Sequence, residues 1–417
     1  MYNFYKEKME LINLQRVVFH IDVNSAFLSW EATHRVKNGM DDLRLVPSAI
    51  GGDREKRTGV ILAKSIPAKK YGVKTGEPVG MALKKCPMLV LARPDFSLYE
   101  EYSRAFMSIC QEYTPILEKF SIDECFLDMT GMTNIYSDLL ETANEIKNRI
   151  KNELGFTVNI GVGSNKLLAK MASDFEKPDK VHTLFDNEIP EKMWCLPIRE
   201  LFSVGEATAQ KLERSCIRTI GDLAKLDISV VKSLLGVKMG EHLHKYANGI
   251  DKSPVLEIRE KVKGYGNSIT LEYDVRTLQD AYKILLALSD STSARMRKDG
   301  ARTKCISVTI RDIDFNDRSH QKKLTVSTDI TTEIFNICCN LLNELWDIKK
   351  PLRLLGVTLS DVTTEDDFQL SMFDSGKKEK ERAIDKTVDS IRSKFGKDTI
   401  VRGGIYKKNI KVGKKNK

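Results

Sequence analysis

The sequence predicts a multidomain α+β protein, and three observations support this fold class. The chain has 417 residues, which is enough for two to four domains. Short β-rich runs and segments with helical spacing follow one another in two series of the order β-α-β-β-α-β, at about 16–163 and 262–361. Between them, residues 184–256 have a helical composition and short connections. The β-α-β-β-α-β order is that of a ferredoxin-like sheet domain. Two such series on either side of a helical segment therefore predict two sheet domains with a helical domain between them.

The first series begins with a buried strand that ends in an acid, RVVFHIDV at residues 16–23. A helix is expected at about 95–113, followed by two short strands in ILEKFSID and ECFLDMT. A second helix at about 133–152 and the strand FTVNIGVG complete the series. Ser164, which follows that strand, is expected to cap the next helix.

A lysine-rich insertion, residues 26–93, separates the first strand from the first helix. It contains GGDREKRTGVILA, which predicts a hairpin with a charged turn flanked by glycines. The second series predicts strands near residues 263–271, 304–313, 321–328 and 352–360. No residue-level repeat links the two series, so we expect a shared architecture and not a duplication.

Composition excludes several classes of protein. No apolar run approaches the ~20 residues of a membrane span. The first residues, MYNFYKEKME, carry acids and lack a small-residue cleavage site, which argues against a secretory signal. The eight cysteines include no CxxC pair. A zinc module and a disulfide framework are therefore not expected, and the reducing cytoplasm is the expected compartment.

The excess positive charge is confined to the end of the sequence. The formal net charge is +9, and residues 374–417 contain 15 basic and 6 acidic residues, which leaves 52 of each sign in residues 1–373. A basic tail indicates solubility or loose attraction to polyanions. Within it, apolar residues at spacings of four, three and four predict an amphipathic helix: Ile384, Val388, Ile391 and Phe395.

Three acids are candidates for a metal site. Asp22 ends the first strand, and Asp123 and Glu124 lie between the two central runs. Adjacent residues on a regular strand face opposite sides, so Asp123 and Glu124 can serve one site only at a hairpin tip. Converging carboxylates repel one another unless divalent cations neutralise them, and Mg²⁺ prefers such oxygen ligands. From spacing alone, three separate surface acids at strand ends are the favoured interpretation.

Four segments carry a family resemblance: HIDVNSAFLSWEA, ILAKSIPAKKYGVKTGEP, SIDECFLDMT and GVGSNKLLAKMASDFEKPDK. Together they resemble the Y-family, or translesion, DNA polymerases of the DinB/UmuC group, in the same order, with the match extending over residues 16–373. The resemblance implies a right-hand polymerase with palm, fingers, thumb and little-finger domains. It also implies that two Mg²⁺ ions assist transfer of a nucleotide from a dNTP to a primer 3′-hydroxyl, with low fidelity.

The resemblance implies the following domains: an N-terminal extension at 1–15, a palm at 16–25 and 94–183, fingers at 26–93, a thumb at 184–256, a linker at 257–261, a little finger at 262–364 and a tail at 365–417.

The same resemblance implies roles for the three acids and for two residues close to Asp22 in sequence. Asp22 and Asp123 match the metal ligands that bridge both ions. Glu124 matches the acid near the catalytic ion, and the Val23 backbone carbonyl matches a further ligand. Phe27 matches the steric gate, whose ring would crowd a ribose 2′-hydroxyl and so favour deoxynucleotides.

Two lysines match the family's triphosphate contacts. Lys177 lies in EKPD and matches the family lysine directly. Lys69 lies in IPAKKYG, where many members have Arg, and a lysine supplies charge without a bidentate fork. Ile66 stands where many members have a Tyr that touches the phosphates, and Ala26 replaces an aromatic often found beside the gate. These two departures alter the expected nucleotide pocket.

DNA contacts are expected in two regions. The segment ELFSVGEATAQKLERSCIRTIGDLAKL resembles a helix-hairpin-helix, with Gly205 in a turn whose backbone N–H groups would meet a phosphate. In the second series, basic side chains on one sheet face would follow the phosphate backbone, and Lys304 and Arg311 are the contacts we single out. Other basic residues in the strand-rich segments of this region include Lys263, Arg295, Arg297, Lys298, Arg302, Lys322 and Lys323.

The segment QLSMF at 369–373 resembles the peptide by which bacterial polymerases bind the sliding clamp. Gln369 would set the register through its amide. Leu370, Met372 and Phe373 would be the apolar anchors.

The resulting hypothesis is a bacterial, cytoplasmic, monomeric DNA polymerase for damage bypass. Its partners would be primer-template DNA, a dNTP and the sliding clamp, and it would not bind a membrane. Two alternatives make different predictions. A nucleotidyl cyclase uses a related palm with paired acids but predicts neither a helix-hairpin-helix nor a clamp peptide. A catalytically silent DNA-binding or clamp-interaction protein predicts damaged metal ligands.

Overall fold

The fold was obtained as a computed structural model that describes residues 16–52, 59–256, 262–364, 376–396 and 399–404. These residues form two compact units. The first comprises the described residues of Met1–Gly52 and Val60–Arg259, and the second those of Asp53–Gly59 and Glu260–Lys417. No helix in the described ranges is long and apolar enough to cross a membrane.

The first unit contains eight strands and ten α-helices among its described residues. The strands are β1 (Val18–Val23), β2 (Ser48–Gly51), β3 (Ile61–Lys64), β4 (Val90–Ala92), β5 (Leu117–Lys119), β6 (Glu124–Asp128), β7 (Val158–Gly163) and β8 (Val181–Leu184). The helices are α1 (Ala26–Lys37), α2 (Ile66–Lys70), α3 (Val79–Lys85), α4 (Phe96–Gln111), α5 (Leu139–Arg149), α6 (Lys166–Asp174), α7 (Glu206–Arg214), α8 (Ile220–Lys225), α9 (Ile228–Leu235) and α10 (Val237–Ala247).

The main sheet of this unit has the strand order β5-β6-β1-β7-β8. The first four of these strands pair antiparallel with one another, and β8 adds parallel to β7. This is the ferredoxin-like order that the sequence predicts, extended by one strand. Alternate β1 residues, including Phe19 and Ile21, enter a large apolar core with residues of α1, α4 and α5.

Helix α6 covers the opposite face of the main sheet. A Cβ atom at Gly161 on β7 would lie 1.9 Å from the Ala169 carbonyl oxygen and 2.4 Å from the Ser173 nitrogen, so only glycine permits this close approach. The prediction that Ser164 caps α6 is wrong. Asn165 is the N-cap, and its side chain accepts a hydrogen bond from the Leu168 N–H, whereas the Ser164 hydroxyl donates to Asp186.

The insertion after the first strand forms its own three-stranded sheet, in the order β3-β2-β4. Strands β2 and β3 pair antiparallel, as the predicted hairpin requires, and the residues of its charged turn, 53–58, lie outside the described ranges. The short helices α2 and α3 complete this region. Helices α7 to α10 form the helical segment that the sequence predicts, around a separate apolar core that includes Leu212, Leu223 and Leu243.

The second unit contains β9 (Gly264–Val275), α11 (Leu278–Lys298), β10 (Arg302–Asp312), β11 (Asp317–Thr328), α12 (Thr331–Leu345), β12 (Leu352–Thr363) and α13 (Gly376–Phe395). Its element order is again β-α-β-β-α-β, but its strand order is β11-β10-β12-β9. The first strand therefore lies at an edge of this sheet, whereas β1 lies inside the main sheet. The two series therefore share their element order, as expected, but their sheets differ in strand order.

The predicted tail helix forms as α13, but its contacts are mainly ionic. Ile384 and Phe395 of the predicted apolar side remain 57% and 71% exposed. Asp385, on an adjoining side of the helix, is only 2% exposed, and it accepts a hydrogen bond from the Thr331 N–H at 2.8 Å. Four arginines and four aspartates hold the tail against α11 and the start of α12: Arg297 pairs with Asp385 and Asp389, Arg382 with Asp329, Arg392 and Arg402 with Asp290, and Arg402 also with Asp385.

Candidate active site

Three neighbouring strands of the main sheet each place one polar residue in a single row. Asp22 on β1 pairs directly with Glu124 on β6 and with Asn159 on β7. Directly paired residues of antiparallel strands have their side chains on the same face of the sheet. This face is the one that α6 covers, and it leaves Asp22 only 8% exposed. Strand register thus brings Asp22 and Glu124 together, although about one hundred residues separate them in the chain.

Asp123 lies in the turn before β6, as the alternation argument requires. Strand β6 begins at Glu124, and the Asp123 carbonyl accepts a hydrogen bond from the Val23 N–H at 3.0 Å. The Asp123 carboxylate accepts a second one from the Ser121 hydroxyl at 2.6 Å. The turn therefore fixes Asp123 beside the end of β1 through both its backbone and its side chain.

Two lysines of the α6 region pair with these acids. The Lys177 ammonium contacts the Asp22 carboxylate and lies 2.8 Å from Asp174 Oδ1. The Lys170 ammonium is 3.0 Å from Glu124 Oε1. The sequence motifs indicate Lys177 but neither Lys170 nor Asp174. Their spacing of four and three residues, which places them on one side of a helix, is the signal that could have found them.

Burial and mutual repulsion govern the ionisation of the acids. Burial raises the pKa of Asp22 to about 7, and Glu124 and Asp123 add to this rise, whereas Lys177 opposes it. Burial alone would lower the pKa of Lys177, but Asp22 and Asp174 outweigh that effect and raise it above the ordinary value. The three carboxylates are thus close enough to interact electrostatically, and they favour a nearby cation.

The acids have the chemistry of a magnesium site without forming a closed cage. Within the described residues, no three His, Cys, Asp or Glu side chains are grouped so as to hold a metal ion by themselves. Every donor atom of Asp22, Asp123 and Glu124 is a carboxylate oxygen, and Mg²⁺ prefers such ligands. Mg²⁺ also keeps water or phosphate oxygens in several positions, so an open group of carboxylates fits it.

We expect Asp22 to make the stability of the fold depend on pH. Its pKa of about 7 in the fold exceeds the ordinary value of 3.8, so the folded chain keeps a proton that the unfolded chain loses. The contribution of Asp22 to the free energy of unfolding should therefore fall as pH rises from about 4 to about 7 and then level off. Denaturant unfolding of wild type and Asp22→Asn in a chelating buffer measures this as the difference between the two proteins.

Taking the difference between two proteins removes the effects of other titrating groups, such as buried His20, whose pKa burial lowers. A difference that stays constant between pH 4 and 8 would show that Lys177 keeps Asp22 ionised throughout.

The predicted steric gate, Phe27, lies at the start of α1, shortly after Asp22 in sequence. Phe27 is half-buried and stacks on the Tyr99 ring, with 4.9 Å between ring centroids. Phe96 and Trp30 each meet the Phe27 ring edge-on at 6.0 Å. The aromatic contacts hold one side of the ring against the core.

The other predicted nucleotide contacts are less constrained. Lys69 is exposed on α2, near enough to Lys64 to lower the pKa of that neighbour, although burial of Lys64 is the larger cause. Ile66, at the first position of the same helix, is 58% exposed. The structure therefore places both in the insertion, where the motif predicts them, and no described hydrogen bond joins Lys69 to Asp22 or Glu124.

The predicted DNA contacts lie in different surroundings. Gly205 is exposed immediately before α7, and a Cβ atom there would meet nothing within 4 Å. Lys304 is half-buried on β10. Arg311, on the same strand, forms a bidentate pair with Asp317 at 2.6 and 2.7 Å. Arg297 is unsuited to DNA binding because its side chain is 6% exposed and pairs with the tail.

The predicted clamp peptide, with Gln369, Leu370, Met372 and Phe373, lies outside the described residues.

Comparisons with known proteins place this geometry in a family. Residues 21–174 match the impB/mucB/samB family, and residues 262–372 match the C-terminal domain of that family. Residues 199–251 match the thumb domain of DNA polymerase-iota.

Full-length relatives agree with these matches. The DNA polymerase IV of Clostridium acetobutylicum is 45% identical over 403 residues, which cover 95% of this chain and 100% of the relative. DNA polymerase IV 1 of Bacillus subtilis is 35% identical, with 94% of each chain covered. A solved structure described as "Y-family DNA polymerase chimera Dbh-Dpo4(243-245)-Dbh" has the same fold, with a TM-score of 0.73 at 24% identity, over 84% of this chain and 100% of that one.

The fold and these relatives define a DNA-directed DNA polymerase. The fold combines the sheet that carries the acids, a helical thumb and a sheet-rich C-terminal unit. The chain belongs to the Y-family of translesion DNA polymerases, in the group whose bacterial relatives are named DNA polymerase IV.

Proposed function

We propose that this translesion polymerase transfers nucleotides to a primer 3′-hydroxyl with two Mg²⁺ ions, held by Asp22, Asp123, Glu124 and the Val23 carbonyl. The direct pairing of Asp22 with Glu124, with Asp123 in the adjoining turn, carries this proposal. When bound, the two ions would stabilise the entering 3′-oxygen and the leaving pyrophosphate. Extension of a primed template by the purified chain tests the proposal, and a folded wild type that adds no nucleotide would reject it.

The remaining residues of the site bind and orient the substrates in this proposal. Lys177 neutralises triphosphate oxygens, as its place beside Asp22 permits. Lys69 adds positive charge from the exposed side of α2. Phe27 excludes the ribose 2′-hydroxyl, because its ring cannot retreat from the contacts with Tyr99 and Trp30.

We assign residues 16–25 and 94–183 to the palm, 26–93 to the fingers, 184–256 to the thumb and 262–364 to the little finger. Among their described residues, the fingers then contain one 12-residue helix, two shorter helices and a three-stranded sheet. Such small fingers would enclose little of the newly formed base pair. Low fidelity, tolerance of damaged templates and early release of DNA would follow.

The chain would hold primer-template DNA by phosphate contacts, which position the duplex without specifying sequence. Backbone N–H groups near Gly205 would serve in the thumb. In the little finger, Lys304 and Arg311 would contribute, and Arg311 would exchange Asp317 for a phosphate. Affinity carried by such contacts should fall steeply with salt.

The chain would act as a monomer in the cytoplasm, recruited to DNA by the sliding clamp through residues 369–373. The basic end of the sequence, rather than the electrically balanced body, would add nonspecific attraction to DNA. The nucleotidyl cyclase is not supported, because the chain matches the whole length of a relative named DNA polymerase IV. The catalytically silent protein is not supported, because all three acids are intact.

Changing Leu370 and Phe373 together to Ala should abolish stimulation by the clamp and leave clamp-free extension unchanged, because the two side chains would be apolar anchors in a pocket. Primer extension with and without loaded clamp measures both quantities. A matched control changes Ile384 and Phe395 to Ala, since these apolar residues are exposed on α13, the next helix along the sequence. Full clamp stimulation of the Leu370/Phe373 variant would show that the clamp binds elsewhere.

A further inference from the structure

A buried pair of amides lies beside the acids. Asn159 on β7 is 0% exposed, and its Oδ1 atom accepts a hydrogen bond from Asn24 Nδ2 at 3.1 Å. The Asn159 Nδ2 group donates to the carbonyls of Ser173 at 3.1 Å and Glu176 at 2.6 Å. Its Oδ1 atom also accepts from the Lys180 N–H at 3.4 Å. The amide thus uses its full capacity of two donated and two accepted hydrogen bonds.

These bonds tie down one segment of backbone, residues 173–180, on both sides of Lys177. Asn159 binds the carbonyl of Glu176, the residue before Lys177. Asn24 completes the attachment, because its Oδ1 atom accepts a hydrogen bond from the Asp179 N–H at 3.0 Å. The segment is therefore fixed to β7 and to the end of β1, the strand that carries Asp22.

The position of Asn159 indicates what this attachment achieves. Asn159 pairs directly with Asp22, so the residue that holds the segment and the acid that Lys177 reaches are neighbours in the same row. A lysine side chain has many rotamers, and its ammonium stays near one carboxylate only if its backbone is fixed. An apolar residue at 159 would fill the space, but it would remove the donor to the carbonyl of buried Ser173 and release the Glu176 carbonyl from β7.

We propose that Asn159 is a positioning residue of the nucleotide site, acting through the backbone of residues 173–180 to hold Lys177 over Asp22. Asn24 supports it from β1. The proposal rests on the triphosphate-binding role given to Lys177, and it adds a residue outside the motif residues that carry the family's roles. Asn159 itself touches neither the substrate nor the metal ions.

Steady-state kinetics of Asn159→Ala tests the proposal. We expect the KM for dNTP to rise about tenfold with kcat changed less than about threefold, because triphosphate binding is weakened while the carboxylates remain in place. In a double-mutant cycle, Asn159→Ala should add nothing to the effect of Lys177→Met. If Asn159→Ala weakened dNTP use equally in the wild-type and Lys177→Met proteins, the two effects would be additive. Asn159 would then have a general structural role, and the proposal would be overturned.

Asn165→Ala is the matched control. Asn165 is also a buried amide, 7% exposed, but it caps α6 and donates to the Gly249 carbonyl, away from Lys177. This variant should show the stability loss of a broken buried amide without a selective rise in dNTP KM. If Asn159→Ala does not fold, Asn159→Thr, which suits a strand and keeps one donor, should show the same KM effect on a smaller scale.

A measurement without substrate separates this proposal from the role of Lys177. The rate at which a small acylating reagent modifies Lys177, followed by mass spectrometry, should rise severalfold in Asn159→Ala and stay unchanged in Asn165→Ala. An unchanged rate would overturn the positioning proposal. A faster rate, combined with a normal dNTP KM for Lys177→Met, would uphold positioning and reject the triphosphate role of Lys177.

Discussion

Replacing Asp123 with Asn should reduce primer extension by about 10³-fold or more, while the protein stays folded. A divalent ion stabilises transition-state charge by several kcal/mol, and each ~1.4 kcal/mol corresponds to a factor of ten in rate. Asp123 lies in the turn before β6, and the hydrogen bond from Val23 uses its backbone carbonyl, so the substitution leaves that contact intact. Single-nucleotide incorporation under single-turnover conditions in Mg²⁺ measures the effect.

Asp128→Asn is the matched control for this experiment. Asp128 ends the same strand, β6, and its carboxylate accepts a hydrogen bond from the Thr130 N–H, at the opposite end from the acids. Its replacement should change incorporation by less than about threefold, as expected for a residue that only supports a turn. Near-normal incorporation by Asp123→Asn would remove Asp123 from the proposed metal site. A comparable loss in both variants would point to damage to the sheet.

Replacing Phe27 with Ala should raise the use of ribonucleotides relative to deoxynucleotides by about 10- to 100-fold. Forcing extra atoms into a packed space costs about 1–3 kcal/mol, and removal of the ring would abolish that cost for the 2′-hydroxyl. The ring is held by Tyr99, Phe96 and Trp30, so it cannot swing away to admit a ribose. The ratio of kcat/KM for rCTP to that for dCTP opposite template G is the quantity to measure.

Phe315→Ala is a suitable comparison, because Phe315 is an aromatic residue in the other unit and is 62% exposed. Any effect of this variant on DNA binding should alter both nucleotides equally and leave their ratio unchanged. If Phe27→Ala keeps the wild-type ratio, another group must exclude the 2′-hydroxyl, and Phe27 serves only to pack α1 against the core.

The sequence predicts that the acids lie close together because it places them on strands that are neighbours in a ferredoxin-like sheet. Once β1 and β6 are neighbours, Asp22 and Glu124 must approach each other. The helix cap was misplaced by one residue. Ser164 and Asn165 have nearly equal capping preference, and only the direction of the chain leaving β7 decides between them.

Other features depend on contacts that sequence periodicity does not encode. The same order of elements gives different strand orders in the two sheets, because element order does not specify which strand occupies an edge. Lys170 and Glu124 are 46 residues apart, and their pairing follows from how α6 lies on the sheet. The α13 prediction found the helix but not its docking face, since its apolar spacing does not reveal that arginines would meet buried aspartates.

The alternation of β1 limits how this polymerase can vary in sequence. Val18, His20 and Asp22 face α6, whereas Phe19 and Ile21 fill the core on the other side. Insertion or deletion of one residue in β1 would exchange the two faces, burying Asp22 among apolar side chains and turning Ile21 toward the lysines. Homologous chains can therefore differ in β1 by substitution but not by length, and a length change there should mark a chain that has lost both its fold and its chemistry.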